Sequence, residues 1–253
     1  MDDLLSRVVE AHGGSDRWSA VNTLTVRMSI DGPLWTAKGW PNALVEETAT
    51  LDARREHLVY TPFTAPDRRS EFDVDPEQIA IHTRDGHVIE RCTNPRASFA
   101  GFERTTPWNA VQLAYFASYA LWNYLTTPFL LTYPGVRARE IDPWDEDGQT
   151  WRRLHVTFPN NIVTHNPEQV FYFGPDALLR RHDYAPEVNG NALAAHYAGG
   201  HKTFGDLVFP TRRRVHRRNP DGRADLDLAV ITIDLHDIMI SSHATADAFP
   251  LRR

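Results

Sequence analysis

The chain has 253 residues, 42% hydrophobic and 24% charged, with 27 basic and 33 acidic side chains and a formal net charge of −6. That size and balance describe an ordinary globular chain with room for one generous core, and the acidic excess removes any general attraction to nucleic acid or anionic membranes. A single cysteine, Cys92, excludes an intrachain disulfide and a cysteine-rich zinc site.

The opening residues, MDDLLSRVVEAHGG, put acids where a secretory signal carries basic residues, and no apolar run leads to a small-residue cleavage site. The expectation is a cytoplasmic protein. Asp2 or Asp3 can cap a first helix whose Leu4, Leu5, Val8 and Val9 form one apolar stripe, and Gly13-Gly14 ends it. Leu24, Val26, Met28 and Ile30 then alternate with Thr23, Thr25, Arg27 and Ser29, the period of a half-buried strand. Ala43–Leu51 and Arg54–Tyr60 read as extended, and Ile79–His82 and His87–Arg91 flank Asp85-Gly86, a hairpin signal.

Residues 106–133 break this pattern with a long apolar and aromatic stretch. Thr106 can cap it, Pro107 suits the first helical position, and Thr127-Pro128 stops it, which predicts a helix over Trp108–Leu125. From Val111 to Leu125 apolar side chains fall on every side, so the helix must be wrapped rather than laid on a surface. Gln112, Ser118 and Asn123 interrupt a run already marginal for a bilayer, so no transmembrane segment is expected.

Past the helix the hairpin pattern resumes. Val136–Ile141 and Thr150–Phe158 flank Asp147-Gly148, and Gln169–Phe173 and Ala177–Tyr184 flank Gly174-Pro175-Asp176. Ala192–Tyr197 follows, then Leu207–Arg218 and Leu226–Ile240 across Asn219-Pro220-Asp221-Gly222. Successive hairpins without intervening helices mean antiparallel pairing. So long a sheet must curl as its twist accumulates. The predicted fold is therefore mainly β (α+β): one domain over residues 1–253, a curved antiparallel sheet or incomplete β-barrel plugged by the buried aromatic helix, with an amino-terminal helix.

The helix ending in AHGG, the strand after it, the helical plug and a meander carrying ALLRRHDY and LVFPTRRRV together resemble the LolA/LolB lipoprotein-carrier fold. A violacein-pathway rearrangement enzyme is similar in architecture. The resemblance implies a curved sheet with a helical lid that holds acyl chains, and, through the second relative, chemistry without a cofactor. The absence of a signal peptide and of a lipidation cysteine near the start departs from the periplasmic carriers.

No Walker A sequence, GxGxxG, GxSxG or HExxH occurs, which removes the usual supports for nucleotide hydrolysis, dinucleotide redox, α/β-hydrolase and zincin chemistry. No cofactor is expected. His196 and His201 lie close in HYAGGH, yet no carboxylate completes a metal-ligand spacing, and no metal site is assigned. Strand alternation puts His182 with Arg180 and Tyr184, and Asp183 with Arg181 on the other face. His182 and Tyr184 are thus candidate proton-transfer groups, joined by His196, whose face carries the small Ala192 and Ala194 and leaves room for a ligand. Tyr115, Tyr119 and Trp122 share one helix stripe and, with Arg180, are the candidate substrate-binding residues; the plain alternative makes the stripe core. Arg212, Arg214, His216 and Arg218 share a strand face best explained by solvation, not by RNA. Two readings stay open: a cofactor-independent rearrangement, cyclisation or isomerisation of an apolar small molecule, or noncatalytic carriage or sensing of a lipid-like ligand. The oligomeric state is not legible.

Overall fold

A computed structural model describes residues 3–242. Four α-helices, α1 (Leu4–Ala11), α2 (Ser15–Ser19), α3 (Pro33–Ala37) and α4 (Ala110–Thr126), accompany the strands. The first six strands are β1 (Val21–Asp31), β2 (Leu44–Asp52), β3 (His57–Tyr60), β4 (Arg68–Val74), β5 (Glu77–Thr83) and β6 (Val88–Thr93). The second group is β7 (Arg137–Glu146), β8 (Gln149–Thr157), β9 (Glu168–Phe173), β10 (Leu179–Tyr184), β11 (Ala194–Phe204), β12 (Leu207–Arg218), β13 (Ala224–Asp225) and β14 (Ile231–Ser242). All pair antiparallel in one curved, unclosed sheet of order β6-β5-β4-β3-β2-β1-β14-β12-β11-β10-β9-β8-β7, with β13 beside β12. The two edge strands, β6 and β7, are consecutive in sequence, and the segment linking them carries α4 through the interior.

The wrapping predicted for α4 is complete: every residue from Val111 to Thr126 is buried. Phe72 on β4 meets Tyr115 edge-on with ring centroids 5.7 Å apart, and the Tyr60 hydroxyl donates to the Ala117 carbonyl at 3.2 Å. Two of the three polar residues that spoiled a membrane reading, Gln112 and Asn123, have internal partners, while the buried Ser118 hydroxyl has none. Asn123 Nδ2 donates to the Tyr119 and Val163 carbonyls, and Gln112 Nε2 to the Ser98 carbonyl. The buried carboxyl end of α4 receives Arg213 of β12, whose Nη2 donates to the Tyr124 carbonyl at 2.8 Å, a cation set against the negative end of the helix dipole. Burial lowers the Arg213 pKa to about 10.

Four local expectations are corrected. The helix is capped by Asn109, whose side chain accepts from the Gln112 N–H while Gln112 Oε1 accepts from the Asn109 N–H, a capping box; Thr106 instead accepts from the Glu103 N–H. β4 and α3 were not predicted, because the charges of Arg68, Arg69, Glu71 and Asp73 hide the alternation of Ser70 and Phe72, and α3 has only five residues. β14 begins at Ile231, so residues 226–229 leave strand pairing after the two-residue β13. Asp3 takes the N-cap of α1 without a side-chain hydrogen bond, and Asp2 lies outside the described residues. Among the described residues no helix is long and apolar enough to cross a membrane.

Candidate functional site

A cavity of about 570 Å³ opens where α3, the start of β11, the end of β12 and residues 228–231 meet the side of α4. Its size is that of a small-molecule pocket. Much of the wall is carbon, from Leu34, Phe116, Ala194, Val215, Val230 and Ile231, with polar groups of Tyr184, Asn189 and His216 among them. The small residues that leave this space are Ala192 and Ala194. Phe116, Val215 and Ile231 also border a small void of about 20 Å³ that runs inward against Ile30, Trp35, Ala120 and Leu121. Phe116, Val215 and Ile231 thus stand between the cavity and this void on the flank of the buried helix.

One polar group at the cavity wall connects to the interior. The Tyr184 hydroxyl lies 2.9 Å from that of Tyr124 and 3.3 Å from His196 Nδ1. Tyr124 continues to His165 Nε2 at 2.7 Å, and His165 Nδ1 to the Tyr119 hydroxyl at 3.2 Å. His182 sits directly across from His196 in the β10–β11 register, stacks on Phe171 and bonds Gln169 through Nε2. Burial holds His165, His182 and His196 well below the usual histidine range; Arg96 adds to this at His165, and Arg213 at His182 and His196. Burial also raises the Tyr184 phenol above its ordinary value. These histidines are therefore neutral at pH 7 and the phenols protonated.

Of the residues singled out from sequence, Tyr184 borders the cavity, and His182 and His196 lie behind it. Tyr115, Tyr119 and Trp122 are buried within the helix and sheet core and do not line it: their tips bond Glu77 Oε1, His165 Nδ1 and the Asp52 carbonyl. Arg180 pairs with Asp176 across the β9–β10 turn, away from the mouth. Arg212 is exposed and Arg214 chelates Asp234, while Arg213 faces inward. Phe116, Val215, Ile231 and Leu34 went unmarked because an apolar wall residue carries no chemistry in its letter. His165 could have been flagged, being a histidine in a Pro- and Asn-rich loop that nonetheless enters the core.

The opposite face of β10 carries Arg181, fully buried between Glu146 Oε2 at 2.8 Å and a two-point contact to Asp183 at 2.6 and 2.9 Å. A second cavity, of about 300 Å³, borders this cluster and Trp144. Three guanidinium groups, of Arg153, Arg181 and Arg223, lie within 6 Å of the Trp144 ring centre, in cation–π range. Among the described residues no group of three or more His, Cys, Asp or Glu side chains could hold a metal ion.

No protein-family model matches the chain, and no curated protein does. Solved structures do. A domain assigned to outer membrane lipoprotein sorting in Vibrio parahaemolyticus superposes with a TM-score of 0.53 at 9% identity, covering 96% of this chain and 94% of that one. A DUF1329 family protein from Desulfovibrio piger gives 0.52 at 12% identity, covering 96% and 93%. A LolA superfamily protein from Nitrosomonas europaea gives 0.45 at 9% identity, covering 95% and 93%. The chain has a LolA/LolB-like fold.

Proposed function

We propose that this protein binds an apolar small molecule in the cavity between its curved sheet and α4, and holds it as a carrier. The observation that bears most weight is the cavity itself, about 570 Å³ with mostly aliphatic and aromatic walls that reach the helix at Phe116. Burial of apolar ligand surface there supplies the driving force, at roughly 25 cal/mol per Å² removed from water. Carriage is favoured over catalysis by the chemistry of the interior: His182 and His196 are shut behind Tyr184, neutral, and committed to Gln169 and Tyr184. The two shared-fold structures add the architecture.

Filling the cavity tests this. Ala194 is small and borders it, so Ala194→Trp should weaken binding of 1-dodecanol, read by isothermal titration calorimetry, about 100-fold, with wild-type circular dichroism retained. Equal dodecanol affinity in both proteins contradicts the assignment.

A second reading, cofactor-independent isomerisation or cyclisation, rests on Tyr184 being the cavity-wall end of a hydrogen-bonded relay through Tyr124 and His196. There the Tyr184 phenol would give its proton to one position of the substrate and take one back from another, with Tyr124 and His196 orienting the hydroxyl. On incubation, a molecule extracted with the protein should be rearranged by the wild type and survive with Tyr184→Phe. Its recovery unchanged from both removes the catalytic reading and leaves the carrier.

A further inference from the structure

The walls of the main cavity are mostly apolar, and the charged residues at its border are of one sign. Arg104 and Arg217 stand at the rim, Arg218 contributes at the end of β12, and no aspartate or glutamate lines the space. This runs against the composition of the chain, in which acids outnumber bases 33 to 27. Arg218 is engaged elsewhere, its Nε 3.4 Å from Asp183 Oδ2. Arg104 and Arg217 are exposed, and among the described residues neither has a carboxylate partner within salt-bridge distance.

The fold holds both in place. Arg217 follows Arg213 and Val215 on the inward-facing side of β12, so its stem continues the apolar wall and its guanidinium reaches the opening. Arg104 belongs to the loop before α4, and Lys38 fastens that loop to α3: its Nζ donates to the Arg104 carbonyl at 2.8 Å and to the Thr106 carbonyl at 3.1 Å, over the Trp108 ring. A third group borders the same cavity. Asn189 is 7% exposed, and its Oδ1 has no hydrogen-bond partner. A half-turn of the amide puts its NH₂ donors at that position instead. A buried polar atom left without a partner costs free energy that a ligand group would recover.

We infer that the ligand is a single-chain amphiphile with an anionic head: the tail lies along Leu34, Phe116, Val215 and Ile231, and a carboxylate or phosphate meets Arg104, Arg217 and the Asn189 amide at the mouth. This rests on the cavity being the ligand site. Guanidinium groups suit both anions, since their paired N–H donors match two oxygens at once.

The test is calorimetric titration at low ionic strength with dodecanoate, dodecyl phosphate, 1-dodecanol and dodecyltrimethylammonium, each below its micelle-forming concentration. Dodecanoate or dodecyl phosphate should bind about tenfold more tightly than dodecanol, with the ammonium weakest, and the tighter of the two anions identifies the head. In an Arg104→Gln, Arg217→Gln double variant the anionic advantage should vanish, so that anion and alcohol bind alike. Both arginines are exposed, so the fold should tolerate the change. Equal binding of anion and alcohol by the wild type, or an anionic advantage that survives in the double variant, overturns the head-group assignment while the cavity assignment stands. Binding of none of the four overturns the cavity assignment and this inference with it.

Discussion

Lowering the pH from 7 to 5.5 is expected to remove about 4 kcal/mol of native-state stability through three histidines. His165, His182 and His196 are buried and held neutral in the folded protein, well below the ordinary value of 6.5. Once unfolded they take up protons below pH 6.5, so the unfolded state binds more protons and gains on the folded one as the pH falls. Their contribution is whole above the unfolded pKa and lost on the acid side. Glu56 acts in the opposite sense. Burial raises its pKa from 4.5 to about 8, and its Oε2 accepts from the Val163 N–H at 2.7 Å. Its stabilising share is complete below 4.5 and declines as the pH rises through 8, so over this interval it offsets about half of the histidine loss. The Glu56→Gln variant should therefore lose about 2 kcal/mol more than the wild type between pH 7 and 5.5, measured by urea unfolding, since His12 and His201, lowered to about 4, and Glu47, raised to about 7, act alike in both proteins. A Glu56→Gln variant equally stable at both values contradicts neutral burial of the three histidines.

The second large effect lies on the other face of the same strand. Arg181→Ala should cost about 3–5 kcal/mol, because it leaves the nearly buried Asp183 carboxylate and Glu146 without their shared cation. The Tyr172 hydroxyl, 2.8 Å from Asp183 Oδ2, and the half-buried Arg218, whose Nε lies 3.4 Å from the same oxygen, replace only part of that contact. Arg181 also ties β7 to β10 across the intervening strands, so its loss should loosen the edge at β7 first. Adding Asp183→Asn removes the stranded charge and should recover part of the stability. Urea unfolding of the single and double variants measures both; a loss under about 1 kcal/mol in Arg181→Ala shows that the cluster is not held by this residue.

The architecture was legible because its two signals are large. The all-round apolar character of residues 111–125 requires a wrapping sheet, and the alternation of Leu24 to Ile30 and the Asp-Gly turns supply its strands. Alternation also placed His182 with Tyr184 and Arg181 with Asp183, and the structure shows both groupings across opposite faces of β10. What alternation cannot give is which face bounds a void. Tyr115 and Tyr184 look alike as letters, and only packing decides that the first ends in the core and the second at a cavity wall. The departure of residues 226–229 from strand pairing was hidden for a related reason: Leu226, Leu228 and Val230 keep strand spacing, but Leu228 and Val230 border the cavity, and only Val230 reaches β12, through its N–H to the Val215 carbonyl. His165 lies in the loop between β8 and β9, where no periodicity reveals that it turns inward.

The most direct measurement is methyl NMR of the protein titrated with 1-dodecanol. Saturable shifts confined to Leu34, Leu228, Val215, Val230 and Ile231, which border the cavity, are the result expected if an apolar ligand lies between sheet and helix. Shifts clustered instead at the exposed Val88 and Ile89 of the β6 edge, or none that saturate, would contradict it.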